Sequence, residues 1–228
     1  INQINAPITS VALPALSSLQ SEPEKYRRYY YKAILLITTI GMPIVAFMFA
    51  CADKVILLIL GKQWLDAVPI FRFLMPAAFI GTFNVATGWA YTSLGRTDRQ
   101  FHAGIVTSLI NILIFLISVR WGAMAVAAAY GLSRPIILLP LIIHCYSKTP
   151  LRLTELLVKL SKPSSASIGS ALVVIGINQL LPSEMNMVIS LFIDLVLYVL
   201  FYFGIWMIIP DGKSTLLDIF KIIILYFI

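Results

Sequence analysis

The stretch WGAMAVAAAYGLSRPIILLPLIIHCY, residues 121–146, decides the fold of this protein. It is an apolar run long enough to cross a bilayer, because a transmembrane helix needs about 20 such residues. Arg134 lies in the middle of the run, far from either water boundary, where a charge is costly to bury. The run therefore predicts a membrane-spanning helix whose cation needs an anionic partner, a water-filled cavity or a negatively charged ligand.

The composition extends this interpretation to the whole chain. Of its 228 residues, 60% are hydrophobic and 12% are charged, whereas ordinary soluble domains have about 25% charged residues. Lipid must therefore be the solvent for much of the apolar surface. The formal net charge of +7 does not predict nucleic-acid binding, because the basic residues are dispersed between apolar runs.

Six apolar segments of spanning or near-spanning length predict an all-α, polytopic helical bundle over residues 33–209. Residues 1–20 are expected to end a preceding helix, and residues 210–228 to form a cytoplasmic or interfacial segment. Residues 21–32 are expected to form a cytoplasmic amphipathic connector whose tyrosines lie in the headgroup zone. The predicted spans are about 33–51, 68–94, 102–119, 121–146, 166–182 and 187–209.

The start of the chain does not look like a secretory leader. It begins with Ile1 rather than Met, and no short apolar core follows a basic segment. We therefore expect a C-terminal piece of a longer protein or a truncated start.

The basic residues predict the orientation of the bundle. The loops that follow alternate helices share one membrane face, and they hold twelve of the 17 basic residues; four lie on the opposite face, and Arg134 is the remaining one. Basic residues accumulate in cytoplasmic loops, so the first face is predicted to be cytoplasmic. Cys51 and Cys145 then lie at opposite faces, which excludes a disulfide between them.

The sequence contains no recognisable catalytic signature. It has no P-loop, paired-cysteine motif or nucleophile elbow. His102 and His144 lie at the ends of spans, which favours boundary positions over catalytic or ligand roles. We therefore expect a protein that is not an enzyme and that has no cofactor or metal site.

The candidate functional residues are the charged ones inside the spans. Arg134 could bind phosphate or pyrophosphate in a wet cavity, or it could form an ion pair with Asp194. Both could hold if Asp194 releases Arg134 when the ligand arrives. Asp194 could instead act as a protonatable gate, or it could face the water of the outer leaflet.

Uncharged polar residues on two other spans extend this set. Asn84 and Thr87 share one face of the second span, and Asn111 lies on the third. These side chains could line a polar cavity and bind sugar hydroxyls. They could equally hydrogen-bond neighbouring helices, as polar residues often do in bilayers.

Three motifs resemble those of the Wzx-like polysaccharide exporters in the MOP flippase superfamily. A proline-led helix end runs into an acidic proline-containing connector over 14–30. An outer-loop pattern LLG-x-x-W-x-x-A-V-P corresponds to 58–69, and a cytoplasmic LGR-x-D loop corresponds to 94–98. The resemblance covers about residues 8–146, and the motifs occur in the order found in that family.

This resemblance implies the second bundle of a MATE-like, inverted-V transporter in the bacterial plasma (inner) membrane. Such a transporter flips undecaprenyl-pyrophosphate-linked oligosaccharide repeat units for the export of O-antigen, capsule or exopolysaccharide, by alternating access. The expected partners are the lipid-linked oligosaccharide, membrane lipids and the N-terminal half of the same transporter. Arg134 would contribute to a cationic cavity.

Two alternatives remain open at this point. A multidrug or cation antiporter of the related MATE fold would favour acidic residues in the cavity. A non-transporting, truncated fragment is the other.

Overall fold

A computed structural model of the chain describes residues 2–180 and 186–227, with side chains described for 6–179 and 186–219. All regular structure in this part of the chain is helical. Two short 3-10 turns, Lys62–Trp64 and Val119–Trp121, lie between longer helices. The α-helices are α1 Asn2–Ser18, α2 Pro23–Ala50, α3 Ala52–Ile59, α4 Ala67–Ser93, α5 Thr97–Ser118, α6 Gly122–Tyr146, α7 Leu153–Leu180, α8 Met187–Ile208 and α9 Gly212–Phe227.

The prediction of an all-α membrane bundle is confirmed. Five helical stretches are long and apolar enough to cross a membrane, and one of them, 97–146, contains both α5 and α6. The six predicted spans therefore fall on α2, α4, α5, α6, α7 and α8. Residues 181 and 182, at the end of the fifth predicted span, lie outside the described residues.

The predicted connector is part of a longer helix. α2 begins at Pro23, inside the segment 21–32, and continues to Ala50. Proline at the first helical position favours this start, because its fixed φ suits a helix and an N–H at that position would have no partner within the helix. Short α3 follows α2 directly and ends before Gly61, whose φ of 90° breaks the helix.

Three of the tyrosines at the start of α2, Tyr26, Tyr30 and Tyr31, are buried against neighbouring helices. The Tyr26 hydroxyl is 2.7 Å from Ser93 Oγ, and the Tyr30 hydroxyl donates to the Ala86 carbonyl at 3.0 Å. The Tyr31 hydroxyl is also hydrogen-bonded, to the connection between α6 and α7. Because each hydroxyl has a partner, the rings can be buried without an unpaired polar atom.

Contacts between distant residues define two ends of the bundle. The basic end holds the α1–α2, α4–α5, α6–α7 and α8–α9 connections, and there Arg27 of α2 lies 3.5 Å from Glu155 of α7. The opposite end holds the remaining connections. Cys145 belongs to the core cluster near the basic end, and Cys51 belongs to a second cluster. Both thiols are free and buried.

Helices α4 and α6 run parallel and approach closely at Gly131. A Cβ atom added there would lie 1.8 Å from the Phe73 carbonyl oxygen, so a side chain does not fit without moving the backbone. Further along the pair, Cys145 Sγ lies 3.6 Å from the Thr87 carbonyl oxygen, with a separation of 58 residues in sequence. Residues 73 and 131 have the same separation, so the register of α4 against α6 is constant over this length.

Candidate anion site at Arg134

Arg134 lies halfway along α6. It is twelve residues from Gly122 and twelve from Tyr146, the two ends of the helix. At 1.5 Å rise per residue, each end is about 18 Å away. The residue is partly buried. A guanidinium at this height can reach neither end of the helix and must find its partners within the bundle or in a cavity.

Tyr130, one turn earlier on α6, holds the guanidinium in place. Arg134 Nη2 donates a hydrogen bond of 2.8 Å to the Tyr130 hydroxyl, and its Cζ lies 4.8 Å from the ring centroid. The ring in turn stacks on Phe115 of α5, with centroids 5.8 Å apart and planes 9° apart. The i,i+4 spacing places Tyr130 and Arg134 on one helix face.

Arg134 retains donors for a ligand. A guanidinium has five N–H donors, and Tyr130 accepts from one of its nitrogens. Among the described residues, no carboxylate lies within ion-pair distance of Arg134, because the ion pairs in this part of the chain are formed by other cations. The group is therefore a positioned cation whose charge is not neutralised by the described part of the bundle.

Asn111 lies at the same height as Arg134. α5 and α6 are antiparallel neighbours, and Phe115 stacks on Tyr130. Asn111 lies one turn from Phe115 toward the basic end, and Arg134 lies one turn from Tyr130 in the same direction. The Asn111 Oδ1 atom is buried and has no hydrogen-bond partner among the described residues. A buried amide oxygen without a partner costs about 1–3 kcal/mol, which a bound polar ligand would relieve.

Asn84 and Thr87 lie closer to the basic end. The constant register of α4 against α6 places Arg134 level with Pro76, so Asn84 is about 12 Å and Thr87 about 16 Å further along the helix. Thr87 is buried, and its hydroxyl donates to the Asn84 carbonyl oxygen at 2.7 Å. Asn84 is partly exposed. The structure therefore separates these two residues from Arg134 along the axis of the bundle.

The structure corrects the predicted ion pair between Arg134 and Asp194. Asp194 is 1% exposed and pairs with Lys54, whose Nζ lies 2.6 Å from its Oδ2. Lys54 Nζ also donates to Asn178 Oδ1 at 2.8 Å and to Ser190 Oγ at 2.7 Å. An ammonium has three N–H donors, so all of them are used. The low exposure of Asp194 also rules out its alternative position in outer-leaflet water.

Two residues of these contacts, Tyr130 and Lys54, are not among the predicted site residues, and the sequence contains a signal for the first of them. Tyr130 precedes Arg134 by four residues inside the same apolar run, and this spacing favours an aromatic–cation contact. Lys54 lies outside the predicted spans, and nothing in the sequence connects it to a residue 140 positions later. Short α3 carries it against α8, and this packing brings it to Asp194.

The comparisons with proteins of known sequence give polysaccharide-related membrane proteins. A family model described as "Polysaccharide biosynthesis protein" matches residues 1–69. An uncharacterized membrane protein in the cps region of Klebsiella pneumoniae is 27% identical over 130 residues, which are 57% of this chain and 27% of that protein. The lipopolysaccharide biosynthesis protein WzxC of Escherichia coli K12 is 23% identical over 110 residues, or 48% of this chain and 22% of that protein.

The comparison with solved structures gives a flippase fold. The lipid II flippase MurJ, in an inward closed conformation, superposes with a TM-score of 0.65 at 18% identity, covering 85% of this chain and 42% of that one. The chain therefore has a MurJ-like helical fold. Together the comparisons confirm the resemblance to the Wzx-like branch of the MOP superfamily. The chain spans less than half the length of each of these relatives.

Proposed function

We propose that this chain is part of a flippase that moves a lipid-linked oligosaccharide across the bacterial inner membrane for polysaccharide export. The names of the relatives support this class of activity, since they refer to polysaccharide or lipopolysaccharide biosynthesis and to flipping of lipid II. The single observation that carries the proposal for the site is Arg134, a cation halfway along α6 without a carboxylate partner in the described bundle.

The phosphate or pyrophosphate of the substrate would bind at Arg134. The planar guanidinium can donate two parallel hydrogen bonds to phosphate oxygens, and Tyr130 orients it. Asn111, at the same height, would bind the first sugar or a phosphate oxygen. Asn84, about 12 Å toward the basic end, would contact a more distant sugar, so these residues fit an extended ligand better than a single small anion.

The lipid tail would stay in the bilayer while the head group crosses. Alternating access requires a second bundle facing this one, because transporters of this kind move two repeats around a fixed midplane site. The N-terminal half of the same transporter is the expected partner. It would supply the second wall around Arg134.

The structure favours this proposal over a cation antiporter. An antiporter needs a carboxylate that is free to bind a cation or a proton in turn. Asp194 is the buried carboxylate among the described residues, and the Lys54 ammonium already occupies it at 2.6 Å. The alternative of a non-transporting fragment is addressed by experiments on the gene in its native locus.

The test is an Arg134→Ala substitution in the native gene, with surface polysaccharide as the measurement. We expect export to be lost while the protein level in the membrane is kept, and we expect Arg134→Lys to retain part of the export because it keeps the charge but loses the planar fork. The matched control is Arg120→Ala, an exposed arginine in the turn between α5 and α6.

The outcomes separate the site from the function. Normal export by Arg134→Ala would refute the anion site. Normal export after deletion of the whole gene, with no second copy present, would refute the flippase proposal and favour the non-transporting alternative.

A further inference from the structure

A cavity lies at the basic end of the bundle. It has a volume of about 820 Å³ and is lined by residues of α2, α7 and α9, which is within the usual range of about 300–1,000 Å³ for ligand sites. None of its lining residues belongs to α4, α5 or α6. It is therefore separate from the site at Arg134.

The cavity carries an excess of positive charge. Five basic and three acidic side chains line it. Two of the basic residues are already paired, because Lys25 lies 2.5 Å from Glu22 and Arg27 lies 2.8 Å from Glu24. The other three, Arg28, Lys32 and Lys159, have no carboxylate within ion-pair distance among the described residues.

These three cations converge from two helices. Arg28 and Lys32 are four residues apart on α2 and therefore lie on one face of that helix. Lys159 approaches from α7, which packs along α2. Long basic side chains contributed by separate helices can surround a phosphate group from two sides.

The deeper wall of the cavity is apolar. Leu35 lies nearly one turn beyond Lys32, toward the interior of the bundle, and is buried. Ile219 of α9, also buried, contributes to the same wall. A free phosphate ion would use the cations and leave this wall uncovered. A phospholipid would use both parts, with its phosphate on the basic rim and its acyl chains against the apolar residues.

We propose that this cavity binds an acidic phospholipid, with the phosphate held by Arg28, Lys32 and Lys159 and the acyl chains against Leu35 and Ile219. The location agrees with this ligand, because the basic end is the predicted cytoplasmic face and the cytoplasmic leaflet is rich in anionic lipids. The site is independent of the proposed oligosaccharide site and would remain if that proposal failed.

Native mass spectrometry of the purified protein in detergent tests the site by counting retained lipids. The probes are phosphatidylglycerol, phosphatidylcholine and inorganic phosphate. We expect phosphatidylglycerol to bind in preference to phosphatidylcholine and to resist millimolar phosphate. In Arg28→Gln/Lys32→Gln, its affinity should fall about 30-fold, since each basic residue near an anionic headgroup contributes about 1 kcal/mol.

Two further variants control for charge alone. Lys148→Asn/Lys213→Gln removes two exposed positive charges at the same end, outside the cavity, and should bind like the wild type. Asp218→Asn removes a carboxylate from the lining, and so it should tighten the binding. Thermal unfolding of each variant shows whether it is folded. The tighter lipid binding expected of Asp218→Asn cannot result from unfolding, so it tests the site even if the cavity variant is less stable.

The proposal is overturned by any of three results. One is equal retention of phosphatidylglycerol and phosphatidylcholine by the wild type. Another is displacement of the lipid by inorganic phosphate. The last is an equal loss of lipid binding in the cavity variant and in the Lys148→Asn/Lys213→Gln control.

Discussion

Substituting Asp194 by asparagine would leave the Lys54 ammonium without its counter-charge while keeping the size of the side chain. The carboxylate is 1% exposed, the lysine side chain is 19% exposed, and the two charged atoms are 2.6 Å apart. Asn178 and Ser190 would still accept hydrogen bonds from the ammonium. The Cys51 thiol, which donates to Asp194 Oδ2 at 3.5 Å, can donate to the amide oxygen of asparagine instead, so the main change is the loss of the charge interaction.

The structure gives the magnitude. At 2.6 Å and an effective dielectric constant of about 20, the attraction is about 6 kcal/mol before desolvation is considered. Breaking a buried pair by removing one partner costs about 3–5 kcal/mol net. Because Lys54 keeps two hydrogen bonds and some exposure, we expect Asp194→Asn to lower the free energy of unfolding by about 3 kcal/mol, at the lower end of that range.

The assay is equilibrium unfolding of the purified protein in mixed micelles by increasing the fraction of denaturing detergent. Asp194→Asn, Lys54→Met and the double variant complete a double-mutant cycle. The double variant should lose less free energy of unfolding than the two single variants together, because it leaves neither charge unpaired. The matched control is Asp53→Asn, which removes the exposed pair of Asp53 with Arg72 at 3.3 Å and should change the free energy by at most about 1 kcal/mol.

The reasoning is refuted if Asp194→Asn is no more destabilising than Asp53→Asn. It is also refuted if the double variant loses as much free energy of unfolding as the two single variants together. Either result would mean that the ammonium and the carboxylate do not interact in the folded protein as the structure has them.

Two more predictions concern packing and orientation. Gly131→Ala should destabilise the bundle by about 1–3 kcal/mol or more, since its methyl group meets the Phe73 carbonyl. The control is Gly104→Ala, where no atom lies within 4 Å, and this substitution should be neutral or slightly stabilising. Equal melting temperatures for the two variants would contradict the prediction. A membrane-impermeant maleimide added to intact cells should label Trp64→Cys but not Ser147→Cys, because these exposed positions lie at opposite ends of the bundle. The native thiols are buried and should not react. Labelling of Ser147→Cys but not of Trp64→Cys would show that the predicted orientation is inverted.

The helices and their order were largely predictable from the sequence. The apolar runs around residues 68–94 and 121–146 fall on α4 and α6 because a helix that crosses a bilayer must satisfy all its backbone groups internally. The boundary at α2 was less predictable. Charges and tyrosines in 23–32 resemble an interfacial segment, yet this stretch is the first part of α2, and Tyr26 and Tyr30 are buried with their hydroxyls bonded to α4.

The candidate site was predictable only in part. Arg134 stands out in the sequence because a charge inside an apolar run has no ordinary explanation. Its relation to Asn111 depends on the register of α5 against α6, and its separation from Asn84 depends on the register of α4 against α6. A hydropathy pattern contains neither register.

The sequence by itself determined that this chain is a helical membrane protein with a cation halfway along one span, because hydropathy is a local property of consecutive residues. Tertiary structure alone decided which charges meet. Lys54 and Asp194 are 140 residues apart, and they pair because α3 packs against α8. Arg134, on α6, lies beside Tyr130 instead, without a carboxylate partner among the described residues.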